Sequence, residues 1–267
     1  MADKAAQAGI KKVQIDTLSM LLMSVLAGMF IALASNFYTA VQTGSGNLPF
    51  GVAKLLGGLA FCMGLVFVVV AGAELFTGNN LIVMAVLSKK VGIRWLFRNW
   101  VIVFVGNLLG ALFLALLAWG SGQDGLAGGA VGKLAMNIAA AKCEIPFWEA
   151  FFRGVLCNVL VCLAIWMCFS SQSTTDRVMA ILFPITAFVA CGFEHCVANM
   201  YFIPIGLFLK AGGAEAGESL TWLNFLWKNL LPVTLGNILG GAGLVGFVFW
   251  VIYKRRGREP KYRDQMP

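Results

Sequence analysis

Six long apolar runs, at about 18–42, 55–87, 95–119, 147–170, 178–209 and 223–253, take up most of the 267-residue chain. A helix of about 20 apolar residues is long enough to cross the hydrocarbon core of a bilayer. In lipid every backbone polar group must find its partner within the protein, so only helices and closed barrels cross. Barrel strands alternate apolar and polar residues over short segments, and runs such as "GLVFVVVAGA" do not. Charged residues make up 12% of the chain and the mean hydropathy is +0.83, whereas a soluble domain carries about 25% charged residues. These features describe an all-α polytopic membrane protein.

The net charge of +8 invites a nucleic-acid reading, but its placement argues for a membrane. With six crossings, one face collects Lys4, Lys11, Lys12, Lys89, Lys90, Arg94, Arg98, Arg177 and the six basic residues from Lys254 to Arg263. The other face keeps Lys54, Lys133, Lys142, Arg153, Lys210 and Lys228. Positive residues stay on the cytoplasmic side, so both termini are expected there, in the cell membrane. The tail "YKRRGREPKYR" suits anionic lipid headgroups, and no nucleic-acid partner is expected. "KAAQAGIKK" followed by an apolar run ending in "ALAS" has the outline of a signal peptide. The repeat described next makes that run a retained helix.

The chain resembles itself. "LFRNWVIVFVGNLLG" (96–110) returns as "LWKNLLPVTLGNILG" (226–240), and "VLAGMFIALA" (25–34) as "VLCNVLVCLA" (155–164). "GAELFTGN" (72–79) matches "GFEHCVAN" (192–199). Each half holds three spans, an odd number, so the second half must insert upside down. Two inverted three-helix repeats are a transport architecture, with the site near the midplane. The expected domains are an N-terminal segment 1–17, a channel unit 18–253 (repeats 18–119 and 147–253) and a basic tail 254–267.

The second span of each half is too long for one straight crossing, and each holds a polar patch, "ELFTGNN" or "EHCVAN". Helices 2 and 5 are therefore expected to be interrupted. Irregular backbone survives at this depth only against protein or a wet cavity, and unpaired amides at a broken end favour an anion. The bland alternative is a simple kink at Pro184 or Pro204. Glu74, Glu194 and His195 are the only ionisable residues fully inside apolar spans, and such residues usually mark a pathway. His195 is read as functional, able to hold or pass a proton near neutral pH. Glu74, Glu194 and Asn79 are read as structural groups pinning the helix breaks, because an unpaired buried charge is costly. Six cysteines lie in apolar spans and Cys143 in a loop, with no spacing suited to a metal or a disulfide framework. No cofactor is expected.

At "GAELFTGN", "LCNVLVCLAIW" and "GFEHCVANM" the chain resembles the formate–nitrite transporter family, from about residue 15 to 253. The resemblance implies an aquaporin-like protomer of six helices in a homopentamer with one pore per protomer. It makes His195 the central pore histidine and Thr77 the hydroxyl of the loop interrupting the second helix. Asn158 and Asn199 become polar groups near that histidine, and Lys142 a lysine that attracts anions. Phe61, Leu65 and Phe188 match one hydrophobic constriction; Leu75, Phe76 and Val161 match the other. "LFTGNN" departs from the Ser-rich continuation of formate channels, which leaves formate, nitrite and hydrosulfide all open.

Two rivals are weaker. A water or small-solute channel of aquaporin-like build would carry Asn-Pro-Ala, which this chain lacks. An intramembrane enzyme would need more than one histidine, or a serine beside it; Ser170, Ser171 and Ser173 sit at a span end. The charge bias sets a test of orientation. Cysteine labelling from the periplasmic side is expected to miss Ser88→Cys and to modify Gly122→Cys; equal labelling rates would overturn the topology.

Overall fold

The computed structural model describes residues 1–215 and 217–255. Most of the basic tail, from Arg256 onward, therefore lies outside the described residues. Among the described residues ten helices run in order: α1 (Ala2–Gln14), α2 (Thr17–Gln42), α3 (Phe50–Ala71), α4 (Phe76–Leu87), α5 (Ile93–Gly120), α6 (Ala130–Glu144), α7 (Phe147–Cys168), α8 (Thr174–Ala190), α9 (Cys196–Ala211) and α10 (Trp222–Tyr253). Five of them, α2, α3, α5, α7 and α10, are long and apolar enough to cross a membrane. The chain is thus a multi-pass, all-helical membrane protein.

Local signals set the helix ends. Asp16 caps α2 by accepting the Ser19 N–H at 3.0 Å, an interaction that also holds its carboxyl below the usual carboxylate range. Ser173 and Asp176 form a reciprocal capping box at the start of α8. The run at 55–87 divides into α3 and α4, and that at 178–209 into α8 and α9, so both long spans are interrupted as the sequence suggests. The breaks lie where Gly72 (φ 72°) and Gly192 (φ 69°) take the left-handed conformation, which costs glycine little and strains residues with a Cβ. Pro184 and Pro204 lie inside α8 and α9, so proline does not make the breaks.

Two helices were not visible in the sequence. The 1–17 segment and the connection holding Cys143 read as tail and loop, yet they form α1 and α6. Their buried faces are narrow ladders of small residues: Ala5, Gly9 and Val13 on α1, and Ala135, Ala139 and Cys143 on α6. That four-residue spacing is helical, but it carries too little hydrophobicity to stand out. Cys143 is a buried helix residue, not a loop residue.

Small residues also draw the long helices together. A Cβ on Gly110 would overlap the Val25 carbonyl of α2, and one on Gly240 would overlap the Val155 carbonyl of α7. Glycines at both ends of "GNLLG" and "GNILG" let α5 and α10 touch the backbones of α2 and α7, as small residues do in membrane interfaces. α3 packs on α8 and α4 on α7, which joins the halves around the two breaks. Gly110→Ala is expected to destabilise the protein by about 1–3 kcal/mol through overpacking. Gly120→Ala, on the same helix with nothing within 4 Å of its Cβ, is expected to be neutral. Thermal unfolding in detergent checks the pair, and equal melting temperatures would refute the packing argument.

Candidate functional site

Where the chain leaves the helix, one polar arrangement occurs twice. In the first half, Asn107 accepts the Phe76 N–H at 2.9 Å and donates to the carbonyls of Ser24 (2.8 Å) and Glu74 (2.9 Å). In the second, Asn237 accepts the Cys196 N–H at 3.0 Å and donates to Gly154 (2.8 Å) and Glu194 (3.0 Å). The Glu74 and Glu194 amides donate to the carbonyls of Met23 and Arg153, each at 3.3 Å. Each asparagine thus bridges the break to the helix packed beside it. Buried backbone groups need such partners.

The glutamate side chains are held the same way. Lys12 on α1 meets Glu74 at 2.5 Å, and Lys142 on α6 meets Glu194 at 2.7 Å. Asn79 donates to Glu74 (2.7 Å) and Asn99 (2.9 Å); Asn199 donates to Glu194 (2.7 Å) and Asn229 (2.6 Å). Both carboxylates are buried. A buried charge needs a counter-ion and further hydrogen bonds, and here each has both.

Within this shared frame the residue that precedes each second half-helix differs. The residue just before α4 is Leu75, and the one just before α9 is His195. His195 Nδ1 accepts the Ala198 N–H at 3.1 Å, so the imidazole caps its own helix. With that lone pair engaged, the network places the proton of a neutral ring on Nε2. Nε2 lies 3.0 Å from Thr77 Oγ1 on α4. If Nε2–H donates to that oxygen, the threonine hydroxyl proton is free for another acceptor.

Two cavities flank this pair. The smaller, about 10 Å³, is lined by Ile31, Phe61, Leu65, Leu75, Val161, Ile185, Phe188 and His195. The larger, about 90 Å³, reaches His195 from the side of Lys142, Glu194 and Asn199. Phe61, Phe188 and His195 border both; Phe188 is stacked on the imidazole with ring centres 5.9 Å apart and set edge-on to Phe61 at 5.6 Å. A cavity holding one water needs about 10–15 Å³, so the smaller chamber is closed to hydrated ions.

The structure gathers most of the candidate residues. Phe61, Leu65, Phe188, Leu75, Val161 and His195 surround one chamber, while Lys142, Glu194 and Asn199 line the next. Phe76 departs from expectation: its ring packs on Trp100 and Phe104 of α5, with centres 6.1 and 5.1 Å away, and it lines neither cavity. Asn158 donates to the carbonyls of Thr77 (3.3 Å) and Asn237 (2.7 Å) and to Asn80 (3.2 Å), reaching the histidine only through the threonine's backbone. The expectation of unpaired amides at the helix breaks holds only in part: the Phe76, Cys196 and Ala198 N–H groups have partners, while those of Thr77 and Gly78 have none among the described residues.

Sequence reading missed Asn99, Asn107, Asn229 and Asn237. They are the asparagine positions of the duplicated 96–110 and 226–240 segments, so the signal was present without a role attached. It also missed Tyr38 and Lys54 in the larger cavity. Lys54 stands seven residues, about two helical turns, before Phe61.

A narrow apolar chamber between two broken helices, with a wider cavity beside it, has the build of a membrane transport protein. The family model for the formate/nitrite transporter matches residues 1–251. The formate channel FocA of Escherichia coli (strain K12) is 43% identical over 266 residues, covering 96% of this chain and 93% of that protein. A solved pentameric formate channel with formate bound superimposes with a TM-score of 0.81 at 42% identity, covering 89% of this chain and 97% of that one. A solved FNT family ion channel gives 0.84 at 30% identity, covering 94% and 98%. The chain belongs to the formate/nitrite transporter family, and so to the anion channels and transporters, not to the enzymes.

The clamp around Glu194 makes its own prediction. Glu194→Gln removes the carboxylate from Lys142, and breaking one partner of a buried pair costs about 3–5 kcal/mol. The same loss is expected in folded yield and melting temperature in detergent. Adding Lys142→Met should recover part of it, whereas additive losses would show that the pair is not coupled.

Proposed function

We propose that the chain passes small monovalent anions, with formate foremost and nitrite and hydrosulfide as the other candidates. The observation that carries this reading is the His195–Thr77 pair, 3.0 Å apart, set against an otherwise apolar chamber. The formate channels among its relatives supply the substrate class. Moving a bare monovalent ion into a low-dielectric interior costs on the order of 20 kcal/mol by an idealised Born estimate. The donor that this pair leaves free replaces part of the lost hydration, as pore-lining groups do in selective channels. The aromatic and aliphatic rim excludes larger metabolites.

Proton delivery from His195 would lower the barrier further, because a neutral acid crosses the chamber more cheaply than its anion. The ring must first take a proton at Nδ1, which already accepts the Ala198 N–H. Proton transfer at His195 is therefore coupled to opening that cap. At rest the imidazole acts as a hydrogen-bond donor through Nε2.

The finer architecture belongs to the same proposal. Two inverted three-helix repeats, with α3–α4 and α8–α9 as interrupted spans, would put both breaks at the midplane and both termini in the cytoplasm. The duplicated clamps and the charge bias support this layout. Residues 18–253 would form the channel unit of an aquaporin-like protomer, flanked by the 1–17 segment and the 254–267 tail. Five such protomers, each with its own pore, would sit in the cytoplasmic membrane, as the pentameric relative suggests.

Fluxes of formate, nitrite and hydrosulfide into proteoliposomes, recorded with an internal pH dye, test the reading. The wild-type protein is expected to carry at least formate. His195→Asn keeps an N-capping side chain but does not titrate near neutral pH. It is expected to assemble normally while changing the pH profile and the proton-to-anion ratio. A wild-type ratio and profile in His195→Asn would remove proton transfer and leave the histidine as a wall donor.

A further inference from the structure

The cavity leading to His195 is lined by two lysines, and only one of them keeps its charge uncompensated. Lys142 is paired with Glu194 at 2.7 Å and also lies over the Phe202 ring, 5.4 Å from its centre. A lysine and a carboxylate at that distance present almost no net charge to an approaching ion. Lys54, on the opposite wall, has no carboxylate partner among the described residues; its ammonium lies 5.5 Å from the Phe50 ring centre. The other titratable groups lining the cavity are Tyr38, Lys142, Glu194 and His195.

Helix geometry aligns Lys54 with the slit. Residues 54, 61 and 65 are 7 and 11 positions apart, which at about 100° per residue puts them within about 20° of one face of α3. The rise of about 1.5 Å per residue sets Lys54 some 10 Å above Phe61 on that face. Between them comes Gly58, packed against Thr186 of α8, so no bulky side chain of α3 stands in the way.

We propose that Lys54 supplies the positive field that gathers anions at this entrance, while Lys142 serves to hold Glu194. The inference rests on the anion reading above and assigns its electrostatic selection to a particular residue. An uncompensated charge in a cleft raises the local concentration of opposite ions, with an effect that salt screens. One unit charge about 5 Å from the ion path contributes roughly a fourfold concentration in a water-like medium.

The test is formate uptake into proteoliposomes against formate concentration, at low and high ionic strength, for wild type, Lys54→Gln, Lys54→Arg and Lys54→Glu. Lys54→Gln is expected to raise the half-saturating concentration about fourfold at low ionic strength, with a smaller effect on maximal flux and a difference that fades at high salt. Lys54→Arg should behave as wild type, and Lys54→Glu should shift further than Lys54→Gln. Should Lys54→Gln fail to assemble on size exclusion, the Arg and Glu variants decide: equal half-saturation in those two overturns the proposal. It is equally overturned if Lys54→Gln keeps the wild-type concentration and salt dependence, or if only maximal flux falls. A wild-type protein that moved no anion would instead sink the anion reading itself.

Discussion

A helix that stops inside a packed apolar core leaves backbone groups without partners where no water can supply them, and everything else here depends on meeting that need. Asn107 and Asn237 meet it from neighbouring helices. Each reaches the break because glycines on either side of it press α5 against α2 and α10 against α7. Close packing and polar satisfaction are therefore a single requirement: a bulkier residue in either glycine position moves the asparagine away from the amide it holds. The Glu–Lys–Asn groups then fix the side-chain layer behind the backbone.

The doubled framework makes its chemical differences easy to see. Both halves present a residue just before the second half-helix, and both of those residues face the same small chamber. One half supplies leucine, the other an imidazole that caps its own helix and bonds to Thr77. The residue matching Thr77 in the second half is Val197, so the donor pair combines one group from each half. Neither half could build it alone.

The six apolar runs and both interruptions were legible in the sequence because long hydrophobic stretches and a self-match are strong signals. The pairing of Glu74 with Lys12 and of Glu194 with Lys142 was not. Those lysines lie on α1 and α6, whose alanine and glycine ladders give almost no hydropathic contrast. The ring of Phe76 went astray for a different reason: a residue beside a helix break can point either way, and the aromatic pocket formed by Trp100 and Phe104 decides. Asn107 and Asn237 were visible as repeated letters, but only three-dimensional packing shows that they bind backbone.

Leu75 and Thr77 make none of the contacts that hold the breaks closed through their side chains. Both are buried, so residues of similar volume can replace them without losing the bonds that hold the breaks. Position 195 is more restricted, since its side chain also ends a helix, and asparagine, aspartate, serine or threonine suits that task best. A lineage or an engineer seeking a different permeant thus has Leu75 to vary on the chamber wall within its volume, Thr77 only at the cost of its bond to His195, and position 195 with a short menu.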